Sequence, residues 1–133
     1  MSSEIENVVK DFLDSFSQHD LDRTISFFTD DCIYTDMAFE KAYHGKKEFA
    51  DFFKRLLKDF PDHKWDLISI FSTANKVAFE SVWSGNHAFS SNPEIPASGN
   101  LVRLNAATIM EFQDDKICRV TDYYNLPSPE QGQ

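Results

Sequence analysis

LVRLNAATIMEFQDDKICRVTDYYN, residues 101–125, decides the fold. Two alternating runs flank Asp114-Asp115, a pair that favours a tight turn. Leu101 to Phe112 and Lys116 to Tyr124 therefore read as the arms of an antiparallel hairpin. Side chains of a strand point alternately to its two faces. On the first arm Val102, Leu104, Ala106, Met110 and Phe112 share a face interrupted by Thr108, and the opposite face is mixed. On the second arm Cys118, Val120, Asp122 and Tyr124 share a face, leaving Ile117, Arg119, Thr121 and Tyr123 on the other. An ionised carboxylate among such neighbours is costly. Asp122 is therefore either satisfied, by Arg103 or a backbone N–H, or retained for chemistry.

Residues 89–100, with Pro93, Pro96 and Gly99, form a loop before this hairpin. Upstream, Trp65 to Phe71 and Lys76 to about Ala88 read as strands joined around Thr73-Ala74-Asn75. The first part of the chain is helical. Ile5, Val8, Val9, Phe12, Leu13 and Phe16 recur at helical spacing, behind a capping box at Ser3-Glu4-Ile5-Glu6. Asp20 caps a short second helix with Leu21, Ile25 and Phe28 on its apolar side. Asp30-Asp31 punctuates, and Cys32 to Met37 is a strand. A third helix follows Gly45, carries Phe49, Phe52, Phe53, Leu56, Leu57 and Phe60 on one side, and stops at Pro61. Helices early and antiparallel strands late make an α+β fold, one domain over residues 1–133. The mixed face of the Leu101–Phe112 strand suits either a polar interface or a pocket wall, and a homodimer through the sheet is expected.

Apolar residues make up 41% of the 133, thirteen of them Phe, which is enough for one packed core. A net charge of −9 argues against nucleic-acid or anionic-membrane partners, whose phosphates would be repelled. The N-terminus lacks the features of a secretory signal, and no run is long enough to span a bilayer. Cys32 and Cys118 read as reduced core residues of a cytoplasmic protein. No HExxH, cysteine cluster, glycine-rich phosphate loop or nucleophile elbow is present, so neither a metal nor another cofactor is expected.

The order of elements, together with HDLDRTISFFTDDCIYTD, HGKKEFADFFKRLLKDFPDHKW, GNH, PASG and DDKICRVTDYYN, resembles the SnoaL-like branch of the NTF2-like superfamily. The resemblance covers nearly the whole chain. It implies a cone, with helices closing a curved sheet over an apolar pocket, and a family of cyclases, isomerases, dehydratases, epoxide hydrolases and non-catalytic members. Fold alone does not choose among them. Asp36 resembles the base of ketosteroid isomerases, but Phe12 and Thr108 stand where their oxyanion-binding Tyr and acid would be. Asp122 also matches a carboxylate of limonene epoxide hydrolases, whose Arg-x-Asp has no counterpart near Trp83-Ser84-Gly85. The SnoaL-type cyclases fit better: Asp122 resembles their acid/base carboxylate and Gly85-Asn86-His87 their Gly-x-His. The ending LPSPEQGQ departs from their Gln-Leu-Gly tail, with Gln131-Gly132 as a remnant.

The candidate catalytic residues are thus Asp122 as acid/base, with Asp36 or His87 as the second polar group. Burial raises the pKa of a carboxylate, which suits proton transfer near neutrality. Histidine is a common proton-transfer group, and His87 is placed to exchange protons with Asp122 if the two meet. Tyr34, Trp83 and Tyr124 would wall a pocket for a small apolar, carbonyl- or hydroxyl-bearing molecule, with His44 as a further contact. Gly85 leaves room for a ligand or bends its strand, and His19 and His63 read as loop residues. The alternative is a binding or assembly module on the same fold.

Overall fold

A computed structural model of the protein describes residues 2–91 and 96–126, with side chains from Glu4 onward. Helices α1 (Ser2–Ser17), α2 (Leu21–Ser26) and α3 (Gly45–Asp59) cover one face of a six-stranded sheet. Its strands are β1 (Phe28–Asp36), β2 (Lys41–His44), β3 (Lys64–Thr73), β4 (Lys76–Asn86), β5 (Leu101–Gln113) and β6 (Lys116–Tyr124), in the order β2-β1-β6-β5-β4-β3. Neighbours run antiparallel except β1 and β6, which are parallel. The sheet is curved and unclosed, the α+β architecture expected.

Helix α1 buries Ile5, Val9, Phe12, Leu13 and Phe16, a stripe at spacings of three and four. Phe12 and Phe16 meet Trp65 of β3 edge-on, at centroid distances of 6.1 and 5.0 Å. Asp20 caps α2, its carboxylate accepting the Arg23 N–H at 3.1 Å. On α3, Phe49 and Phe53 are fully buried, while Phe52, Leu56 and Phe60 are half-buried because they front a cavity.

Three local readings need correction. Phe28 opens β1 rather than closing α2: the Ile117 N–H donates to the Phe27 carbonyl at 2.8 Å, and Phe28 pairs with Ile117. The strand then bulges before pairing resumes at Ile33, so Asp30-Asp31 lie inside the strand. Strand β2 has no apolar alternation and is held by its backbone pairing to Ile33–Asp36. In β6 the register passes from Phe112↔Ile117 to Glu111↔Arg119, making Cys118 the extra residue of a bulge. Ile117 consequently enters the core and Cys118 is only half-buried, its thiol donating to the Glu111 carbonyl. Cys32 is buried, and both cysteines are free thiols.

Glu6, expected to complete the capping box, accepts a hydrogen bond from Ser72 of β3 instead. The Ser3 side chain, Pro93 and the tail from Pro127, including Gln131-Gly132, lie outside the described residues. Among the described residues no helix is long and apolar enough to cross a membrane.

Gly85 leaves no room for a ligand. A Cβ there would meet Phe60 Cβ at 3.0 Å and His63 Cα and Cβ at 3.2 Å, because the α3–β3 connection rests directly on β4. Gly85→Ala should therefore lower the free energy of unfolding by about 1–3 kcal/mol, the usual cost of overpacking. Urea titration followed by tryptophan fluorescence would measure it. Unchanged stability would mean that the connection yields.

Candidate active site

Register decides which side chains meet. One row across the concave face reads Phe79, Thr108, Asp122, Asp36 and Lys41, on β4, β5, β6, β1 and β2. The row beside it reads Val77, Met110, Val120, Tyr34 and Tyr43. Parallel pairing thus sets two carboxylates side by side. Tyr34 precedes Asp36 by two residues and Tyr124 follows Asp122 by two, so each phenol reaches the carboxylate of the opposite strand.

The Tyr34 hydroxyl donates to Asp122 Oδ2 at 3.0 Å, and the Tyr124 hydroxyl donates to Asp36 Oδ2 at 2.6 Å. Thr108 Oγ1 donates to Asp122 Oδ1 at 2.7 Å, and the Phe39 N–H to Asp36 Oδ1 at 3.1 Å. Burial pushes Asp122 up; the Thr108 and Tyr34 hydrogen bonds pull it down, the Asp36 charge adds to the rise, and it titrates at about 6. Both phenols are raised, chiefly by burial and then by their carboxylate neighbours, and stay protonated.

These four residues line a cavity of about 520 Å³. Phe52 and Leu56 of α3, with Phe60 just after it, form one wall, and Trp65, Trp83, Val102, Leu104 and Ala106 of the sheet another. Of the residues singled out in the sequence, Asp122, Asp36, Tyr34, Trp83, Tyr124 and His87 all front this space.

His87 does not meet Asp122. It lies four inward positions along β4 from Phe79, past Ser81, Trp83 and Gly85, where its ring stacks on Phe60 at 4.8 Å. His44 is outside the cavity: it is exposed at the N-cap of α3, and its backbone N–H donates to Glu48 at 2.8 Å. Arg103 is on the exposed face of β5, opposite to the face of Thr108, so the hydroxyls and not the guanidinium hold Asp122.

His63 lies in the α3–β3 loop, as read, but is buried there among Phe16, Phe53 and Trp83, with both ring nitrogens unpartnered. Burial and then the charge of His19 lower its pKa to about 4. Lys41, Tyr43 and Arg55 also line the cavity and were not among the sequence candidates. For Arg55 a signal existed, since Phe52, Arg55, Leu56 and Asp59 follow helical spacing. Among the described residues no group of three or more His, Cys, Asp or Glu could hold a metal ion.

The model of the SnoaL-like domain matches residues 9–120. The chain belongs to the SnoaL-like family. A candidate polyketide cyclase from Xanthomonas campestris pv. campestris is 25% identical, superposes with a TM-score of 0.81, and aligns over 99% of this chain and 98% of its own. A candidate SnoaL-like polyketide cyclase from Jannaschia sp. CCS1 (15%, TM-score 0.81, 92% and 86% coverage) shares the fold. So does AclR, a candidate hydroxylase from Streptomyces galilaeus (18%, TM-score 0.80, 94% and 91%). Comparison with curated proteins returns no match.

In this SnoaL-like protein two buried groups tilt stability with pH in opposite senses. Asp122 rises from 3.8 to about 6 on folding, so the unfolded chain sheds its proton first. The stability owed to neutral Asp122 is complete below pH 3.8 and lost as pH climbs to about 6, a change on the order of 3 kcal/mol. His63 falls from 6.5 to about 4, so its contribution is complete above pH 6.5 and lost as pH drops toward 4. The wild type should be nearly flat over that window. Asp122→Asn, free of the first slope, should gain stability steeply with rising pH and exceed the wild type at pH 7. Urea titrations at pH 4 to 7 test this, and parallel profiles for the two proteins would refute it.

Proposed function

We propose that this SnoaL-like protein is a cofactor-free acid/base enzyme of the cyclase or isomerase kind. Its substrate would be a small apolar molecule bearing a carbonyl or hydroxyl group. The observation that carries the reading is the pair of adjacent carboxylates, Asp36 and Asp122, each held by a phenol from the other's strand inside an apolar cavity. Asp122, titrating at about 6, is a base at neutral pH whose conjugate acid is readily formed. It would take a proton from a carbon next to the substrate carbonyl and return it at another position. Asp36 with Tyr124 is the second polar group: the carboxylate would accept from a substrate hydroxyl, and the phenol is the donor that would turn to the oxygen on which charge develops. Trp83 and His87 contact the far end of the substrate. The cyclase neighbours support the reaction type, and two free thiols fit a reducing, cytoplasmic setting.

The outer face of the sheet supports a homodimer. Its row Phe71, Ala78, Ile109 and Thr121 is flanked by Ala107 and Tyr123. Phe71 is 69% exposed and Tyr123 45%, forming an apolar stripe that a second copy would cover. The assembly-module reading rests on this stripe and on the hydrogen bonds already satisfying both carboxylates.

Two measurements test these readings. Loss of α-proton NMR signals of cyclic ketones and β-diketones in D₂O should be accelerated by the wild type, and Asp122→Asn should slow it by about 10²-fold or more. A wild type no faster than buffer, or an amide variant of full activity, favours the module. Ile109→Glu should convert a dimer to a monomer in sedimentation. A wild-type monomer would remove the dimer.

A further inference from the structure

Two cations at the cavity are unused by the acid/base reading. Lys41 ends the row that contains Asp122 and Asp36, and Arg55 stands on α3 in line with Phe52 and Leu56; both line the cavity. Arg55 has an acid four residues away on each side, Asp51 and Asp59, the spacing at which helix ion pairs form. Neither takes it. Asp51 pairs with Lys47 at 3.5 Å, and Asp59 accepts the Ser91 N–H at 3.2 Å and its hydroxyl at 2.7 Å. The Arg55 guanidinium lies instead 5.9 Å from the centre of the Tyr43 ring, and Lys41 Nζ lies 5.7 Å from the same point.

In a chain of net charge −9, two cations drawn to one ring beside cavity carboxylates, without forming an ion pair among the described residues, are poised for an anion from outside. The ring also points the way inward: Tyr43 packs on Phe52 at 4.6 Å, Phe52 on Tyr34 at 5.6 Å, and Tyr34 donates to Asp122.

From this we infer that the substrate carries a carboxylate, held between Arg55 and Lys41 over the Tyr43 ring. The inference rests on the proposed pocket and narrows its ligand to an apolar carboxylic acid. A guanidinium grips a carboxylate through two parallel hydrogen bonds, and the ammonium adds a point charge. The anchored end lies beside the carboxylate pair, because Lys41 is opposite Asp36 across β1 and β2. The apolar remainder extends toward Leu104, Trp83 and His87. The proton to be moved is then close to the substrate's own acid group.

The test uses acid and amide pairs of one shape: benzoate, 2-naphthoate and 2-naphthylacetate, each against its primary amide, at pH 7.5. Quenching of Trp65 and Trp83, both on the cavity wall, reports binding. For the best-fitting pair the acid should bind about tenfold tighter than the amide at low salt, with the gap shrinking as salt rises. Arg55→Gln and Lys41→Gln should each weaken the acid several-fold, together abolishing the preference, while the amide is unaffected. Amides binding as well as acids, or a preference surviving in the double variant, would overturn the carboxylate anchor and leave the pocket standing. If no member of any pair binds, the small-molecule pocket itself fails and the anchor with it.

Discussion

The parallel seam between β1 and β6 is the constraint on which the rest depends. It joins Tyr34 to Asp122 and Asp36 to Tyr124, each pair 88 positions apart in the chain, and it alone sets the two carboxylates in one row. Parallel neighbours need a long crossover. Here β2, α3 and three further strands supply it, and α3 returns as the wall of the cavity that the seam faces. A slip of one residue in either strand would turn its carboxylate to the outer face and separate the pair. The bulges near Asp30 and at Cys118 absorb such a mismatch at the far end of the seam, where Phe28 meets Ile117, so that the register at Asp36 and Asp122 is kept.

Polar groups inside this core are treated in two ways. Asp122 is compensated locally by hydroxyls rather than by a cation, which leaves its charged form only partly supported and its proton affinity raised. His63 is compensated by nothing that its ring nitrogens touch, and it stays neutral. Between about pH 4 and 6 both groups are neutral, a state reached from opposite directions.

The hairpin of β5 and β6 was legible in the sequence because alternation and Asp114-Asp115 agree. The same parity also placed Arg103 on the face opposite Thr108, a signal that would have removed it as a partner for Asp122 once the two arms were paired. Asp122 was found by its apolar neighbours, and α3 by its phenylalanines. Strand β2 was not legible, since Lys41, Ala42, Tyr43 and His44 bury little and are held by backbone bonds. The remoteness of His87 from Asp122 depends on distance along β4, which a shared face does not encode. The burial of His63 depends on Gly85, 22 places later, offering its backbone as a seat.

The exchange of partners across the seam also constrains how such a sequence can drift. Loss of the Tyr124 hydroxyl leaves Asp36 with the Phe39 N–H, and loss of Tyr34 leaves Asp122 with Thr108. Loss of either carboxylate, by contrast, takes the acceptor from a phenol of the other strand, so a change at one position bears on its partner 88 places away. The crossings add this constraint to the packing already imposed on Phe28, Cys32, Ile117 and Val120 of the same strands.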